Sequence, residues 1–209
     1  MAYYIYFCVL TKNIKMLYSI YAESTPNPKV MKFVCNKILT TESIQIKSKN
    51  DKHEIELINK LFDFPFVKEI YINSNFISIT KTNNIEWESI AIQLRSFISD
   101  FLNNNDFSIK TSTQNSNKNT EEVKSKCDNK ESSDSDIENQ IKSILNQYIK
   151  PAVELDGGEI SLASYKNNIV KVELKGACNG CPSSTVTLKN GIENLLRQKI
   201  NPDIEVIAV

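Results

Sequence analysis

Residues Lys175–Thr185 read KGACNGCPSST, and their flanks differ in period. Upstream, Ile169–Leu174 (IVKVEL) alternates apolar and polar residues, the pattern of a half-buried strand. Downstream, Val186–Ile200 (VTLKNGIENLLRQKI) places Leu188, Ile192, Leu195, Leu196 and Ile200 at helical spacing. Cys178 and Cys181 therefore sit at a strand-to-helix junction. Pro182 suits the first position of a helix, where a missing N–H costs nothing. Cys181 then abuts a helix N-terminus, whose unpaired N–H groups and positive dipole favour thiolate. Two thiols at this spacing can cycle as a redox dithiol, hold half of a zinc site, or hold half of an iron–sulfur cluster.

Ligand counting narrows the choice without closing it. Zinc or a cluster needs about four protein ligands, and only this pair is close in sequence. The single histidine, His53, lies far away at the start of an amphipathic helix and reads as a solvated helix-start residue. Cys35 falls in a predicted strand and reads as a buried core thiol, Cys8 lies in a poorly specified start, and Cys127 sits in a polar tract. A metal site must borrow two ligands, and the economical source is the same pair in a second copy across a twofold axis. The redox alternative, a thioredoxin-like dithiol protein, needs no partner. It fits the context poorly, because two strands and a helix precede the pair and only one helix and one strand follow. Pro202 resembles the cis-proline of such folds but comes too soon after the pair. The metal reading leads, with zinc and iron open.

The chain has 209 residues, 41% of them apolar, room for two small cores. Its 25 basic and 25 acidic residues balance, which argues against a nucleic-acid footprint. Five cysteines, an odd number at irregular spacing, do not form a disulfide framework and suggest a reducing compartment. The apolar run Tyr3–Leu10 is too short to span a bilayer, so no membrane partner is expected. The start lacks the Arg/Ser-rich amphipathic character of a transit peptide, and the expected location is a cytoplasm. Residues 1–15 read as an extension, with Met16 an alternative start.

The sharpest boundary is central. Asn103–Asp136 is almost devoid of apolar residues, so it cannot offset the entropy of ordering and reads as a flexible tether. Its reach is on the order of 30 Å. The expected division is an N-terminal domain over 16–103, a linker over 104–135 and a C-terminal domain over 136–209. In the first, LYSIYAE and VMKFVCN are strands around the turn STPNPK, and HEIELINKLFDF is a helix. FVKEIYIN and FISITK form a hairpin at Ser74–Asn75, and IEWESIAIQLRSFISDFL closes the domain as a helix. In the second, a helix capped by Asp134 or Asp136 runs to Pro151, which ends it; LDGGE turns the chain into EISLASY and IVKVEL. The class is α+β, ordered ββαββα then αββαβ. All five glycines lie at residue 157 or beyond, so no phosphate-cradling loop exists in the first domain. Gly191, inside a helix, implies close packing against a strand or a second subunit.

The C-terminal residues now carry more than a spacing. The turn Asp156–Gly158 and the block GACNGCPSSTVTLKNGIE (Gly176–Glu193) closely resemble the C-terminal domain of the NifU family. TPNPKVMKF (Thr25–Phe33) and LFDFPFVKEIYINSNFISITK (Leu61–Lys81) resemble the domain that precedes it in Nfu-type proteins. The chain departs from that pattern at Phe66, Asn73 and Asn75, where the family usually has glycine. The resemblance implies an iron–sulfur scaffold or carrier, not an enzyme. It further implies a [4Fe–4S] cluster shared between two subunits, with Cys178 and Cys181 of each copy as cofactor-binding iron ligands. The implied partners are a homodimer when loaded, upstream assembly proteins and recipient apo-proteins. Gly176 and Gly180 flank Cys178, so backbone N–H groups there can point at sulfur.

Overall fold

The computed structural model describes residues 17–51, 54–82, 85–105, 131–179 and 182–209, with the backbone alone for 131–135 and 182–185. The extension, His53, Cys8, Cys127, Gly180, Cys181 and most of the tether lie outside the described residues. The α+β class holds: two separate sheets, each with helices on one face.

The N-terminal half is a five-stranded antiparallel sheet in the order β1-β2-β5-β4-β3. Its strands are β1 (Ile20–Ser24), β2 (Val30–Cys35), β3 (Ile44–Ile46), β4 (Val67–Asn73) and β5 (Phe76–Lys81). Period-2 alternation sends Phe33, Ile70, Ile72, Ile77 and Ile79 to one face. Helix α1 (Glu56–Leu61) covers them with Leu57, Ile58 and Leu61, and α2 (Trp87–Asn104) with Ile90, Leu94, Ile98 and Leu102. Strand β3 was not expected; at three residues, IQI is too short to show a period and forms because it pairs with β4 at the sheet edge. In the β4–β5 hairpin, Ser74 takes the left-handed conformation at φ 49°, leaving Asn73 and Asn75 out of it.

In the C-terminal half, β6 (Gly158–Lys166) and β7 (Ile169–Gly176) form a hairpin, and β8 (Glu205–Ala208) runs parallel to β7 on its other side. The hairpin turns at Asn167 and Asn168, both at positive φ, as a two-residue loop requires. Val170, Val172 and Leu174 pack beneath Ile192 and Leu196 of α5 (Pro182–Lys199) and Ile141 of α3 (Glu131–Ile144).

Three expectations need correction. Helix α3 starts at Glu131, upstream of both aspartates expected to cap it. Pro151 does not end the helix: a π-helical turn (Leu145–Ile149) leads directly into α4 (Lys150–Leu155), with Pro151 in its first turn. Proline has no N–H to give and its ring crowds the carbonyl four residues back; the wider π turn relieves both. Gly191 is not packed on a strand, since nothing lies within 4 Å of where its Cβ would stand. Within the single chain its cost is then conformational. Gly191→Ala is expected to raise the unfolding free energy by about 1 kcal/mol, measured as a higher urea midpoint at unchanged slope; a lower midpoint would mean that a contact outside the single chain occupies that space.

Candidate functional site

Cys178 lies just beyond β7, buried at 5% exposure and part of the C-terminal core. The loop before it is shaped by the Asp156–Gly158 turn. The Asp156 amide donates to the Ala152 carbonyl (3.1 Å) and the Gly157 amide to that of Glu154 (3.0 Å), so the turn is first a helix exit. Gly157 has φ +80°, a conformation that glycine adopts without a Cβ penalty. Its carbonyl accepts the Ala177 amide at 3.1 Å, which ties the turn to the cysteine loop. Gly158 faces Gly176 across the β6–β7 ladder. A Cβ on Gly158 would stand 2.8 Å from Cys178 Sγ and 2.8 Å from the Lys175 carbonyl. The thiol therefore occupies space that only glycine leaves open.

Two backbone amides beside the cysteine are engaged by carbonyls of the turn and of the loop itself. The Ala177 amide serves the Gly157 carbonyl, and the Asn179 amide donates to the Gly176 carbonyl at 3.1 Å. Helix α5 begins at Pro182, as its position predicted. Of the predicted ligand pair, the structure places Cys178 in the loop between β7 and this helix, and Cys181 lies outside the described residues. Among the described residues no cluster of three or more His, Cys, Asp or Glu forms a metal site. Among them no peptide is cis, so Pro202 lacks the bond that suggested a dithiol fold.

Sequence reasoning missed that the N-terminal half builds one wall of this site. The turn Thr25–Lys29 is held internally: Thr25 Oγ1 lies 2.9 Å from both the Asn27 and the Val30 carbonyls, which share its one proton, and the Lys29 amide donates to Asn27 Oδ1 (3.1 Å). With its oxygen so engaged, Asn27 turns its Nδ2 to the Ala177 carbonyl at 3.0 Å, beside the cysteine. Lys32, Ser78 and Tyr71 form one row across β2, β5 and β4, on the face opposite the helices. Ser78 Oγ donates to the Gly157 carbonyl at 2.7 Å. Lys32 Nζ donates to the Glu154 and Leu155 carbonyls, both at 3.0 Å, at the negative end of α4. Hydrogen bonds to a charged group are each worth about 1.5–3 kcal/mol net. Tyr71 Oη donates to Glu159 Oε2 at 3.0 Å. Burial first, and the Glu159 carboxylate second, push the Tyr71 hydroxyl well above its usual range. In the strand pattern these polar residues read as a solvated face; only contact with the other half shows them buried. A cavity of about 370 Å³ lies between the halves, lined by Pro26 and Asn27 on one side and Val153, Cys178 and Leu188 on the other.

Cys35 belongs to the N-terminal core, and burial pushes its thiol from 9.0 up to about 12. It is a neutral packing group at working pH, as expected.

Two family models divide the chain. The NifU-like domain matches residues 141–207, and the N-terminal domain of the scaffold protein Nfu/NifU matches residues 20–105. This chain belongs to the NifU-like, Nfu-type family of iron–sulfur cluster scaffold proteins. The NFU1 iron-sulfur cluster scaffold homolog, mitochondrial, of Homo sapiens is 30% identical over 89% of this chain and 69% of its own length. The Drosophila willistoni protein of the same name is 33% identical, over 90% and 62%. NifU-like protein 4, mitochondrial, of Arabidopsis thaliana is 29% identical, over 87% and 62%. The chain thus spans roughly two thirds of the length of these relatives. A NifU-like protein of Saccharomyces cerevisiae solved by NMR is 27% identical over 47% of this chain and 90% of that one, with a TM-score of 0.38.

These relatives overturn the cytoplasmic expectation, since their names place them in mitochondria. That expectation rested on what residues 1–15 lack, and a missing signature does not fix a compartment. Among the described residues no helix is long and apolar enough to cross a membrane.

The buried Cys35 thiol makes stability depend on alkaline pH. Its folded pKa exceeds the unfolded one, so the unfolded chain ionises first. The contribution is whole below about pH 9 and is lost as pH rises toward 12. Cys35→Val is expected to flatten the fall in urea midpoint across that window; an identical slope in the variant would show that other groups govern it.

Proposed function

We propose that this chain carries a [4Fe–4S] cluster as cargo, held by Cys178 and Cys181 from each of two copies, and hands it to recipient apo-proteins. The observation that carries the reading is the setting of Cys178. It is a thiol given room by Gly158, on a loop pinned to the helix-exit turn, in the half matched by the NifU-like domain model. Cys181 is the second ligand by sequence position. One such pair supplies half of a cluster's thiolates, so a second copy completes the set.

A cluster bridging two small units is exposed to exchange, which suits delivery better than long-term electron transfer. No catalytic step is assigned: the chain is a carrier that receives its cargo from assembly proteins. The mitochondrion named for the relatives is the proposed compartment. Residues 16–103 and 136–209 are the proposed working units.

Anaerobic reconstitution tests the reading. The unaltered chain is expected to bind about four iron atoms per two chains and to sediment as a dimer when loaded. Cys178→Ala and Cys181→Ala should each abolish binding, and Cys35→Ala should retain it. A loaded monomer, or a full cluster in Cys178→Ala, would overturn the assignment. Thioredoxin-like turnover of insulin disulfides by the metal-free chain would favour the redox alternative.

A further inference from the structure

The row Lys32–Ser78–Tyr71 and the side chain of Asn27 all end on the segment Glu154–Ala177 that shapes the cysteine loop. Lys32 is 7% exposed and Ser78 1%, although both lie on the sheet face away from the N-terminal core. A lysine and a serine become buried there only because carbonyls of the other half receive them. The fit is mutual. A Cβ on Gly157 would stand 2.8 Å from Ser78 Oγ, and one on Gly176 would stand 2.7 Å from the Tyr71 ring. Two glycines beside the cysteine loop thus make room for side chains of the N-terminal half. Pro26 and Asn27 close the cavity onto which Cys178 faces.

We propose that this sheet face is a docking site for the cysteine-bearing half of the same chain, and that the docked arrangement is a closed state sheltering Cys178. The latch is electrostatic at its centre. The Lys32 ammonium sits on the negative pole of α4, and reversing its sign sets a carboxylate against two carbonyls. Asn27 and Ser78 hold the loop and the turn in the same position. On the carrier reading above, the closed state must open before a second copy can bring its thiolates to Cys178.

Alkylation of the cluster-free, full-length chain by iodoacetamide, read peptide by peptide by mass spectrometry, tests the shelter. Lys32→Glu is expected to speed modification of Cys178 at least tenfold. Cys35 should stay protected in the same molecules, showing that the N-terminal core is intact. An unchanged Cys178 rate with Cys35 protected overturns the proposal. So does a parent chain whose Cys178 reacts as fast as in urea. If Cys35 also becomes reactive in Lys32→Glu, the milder pair Asn27→Ala with Ser78→Ala decides by the same criterion. No cluster is present in this assay, so its failure leaves the carrier reading standing. A failed reconstitution would equally leave the shelter standing.

Discussion

The Gly157 carbonyl is where the parts of this molecule meet. It accepts the Ala177 amide from the cysteine loop and the Ser78 hydroxyl from the N-terminal sheet. Both bonds depend on a left-handed backbone at the exit of α4, which glycine permits and other residues resist. Moving this one peptide would shift the loop bearing Cys178, the end of the helix that Lys32 caps, and the start of β6 together. The Asp-Gly-Gly motif is therefore a mechanical joint. Gly157 supplies the conformation, and Gly158 supplies the empty volume that the cysteine sulfur enters.

The two halves handle polar groups differently from an ordinary pair of linked domains. Inter-domain surfaces are usually modest and solvated. Here a buried ammonium, a buried hydroxyl and a buried amide each find a carbonyl on the opposite half. Burying them unmatched would cost several kcal/mol, so the contact favours a single register over sliding. Phe76 contributes a ring 4.7 Å from Lys32 Nζ, and Glu23 stands 3.7 Å from it, which adds local support on the N-terminal side. The N-terminal half thus supplies two of the groups around this ammonium.

A cysteine loop bounded by two units suits a labile cargo. A thiol held inside a small core and walled by a separate unit meets oxidants rarely. The same wall leaves a cavity of about 370 Å³ rather than a sealed contact, so the loop has space into which to move.

Much of this was legible in the residues themselves. Alternation in VMKFVC, FVKEIYIN and FISITK and the helical spacing of Ile90, Leu94, Ile98 and Leu102 prescribe strands and helices, because period decides which face is apolar. The block around Cys178, with its upstream Gly-Gly turn, identified the family. What the sequence could not determine arises from contacts between distant positions. Strand β3 exists only as an edge added to β4, and the helix passes Pro151 because a π turn absorbs the lost bond. Lys32 and Ser78 look like solvent-facing residues until their carbonyl partners, some 80 to 120 positions away, are brought against them. Periodicity tells which residues share a face; what covers that face is decided only by the tertiary fold.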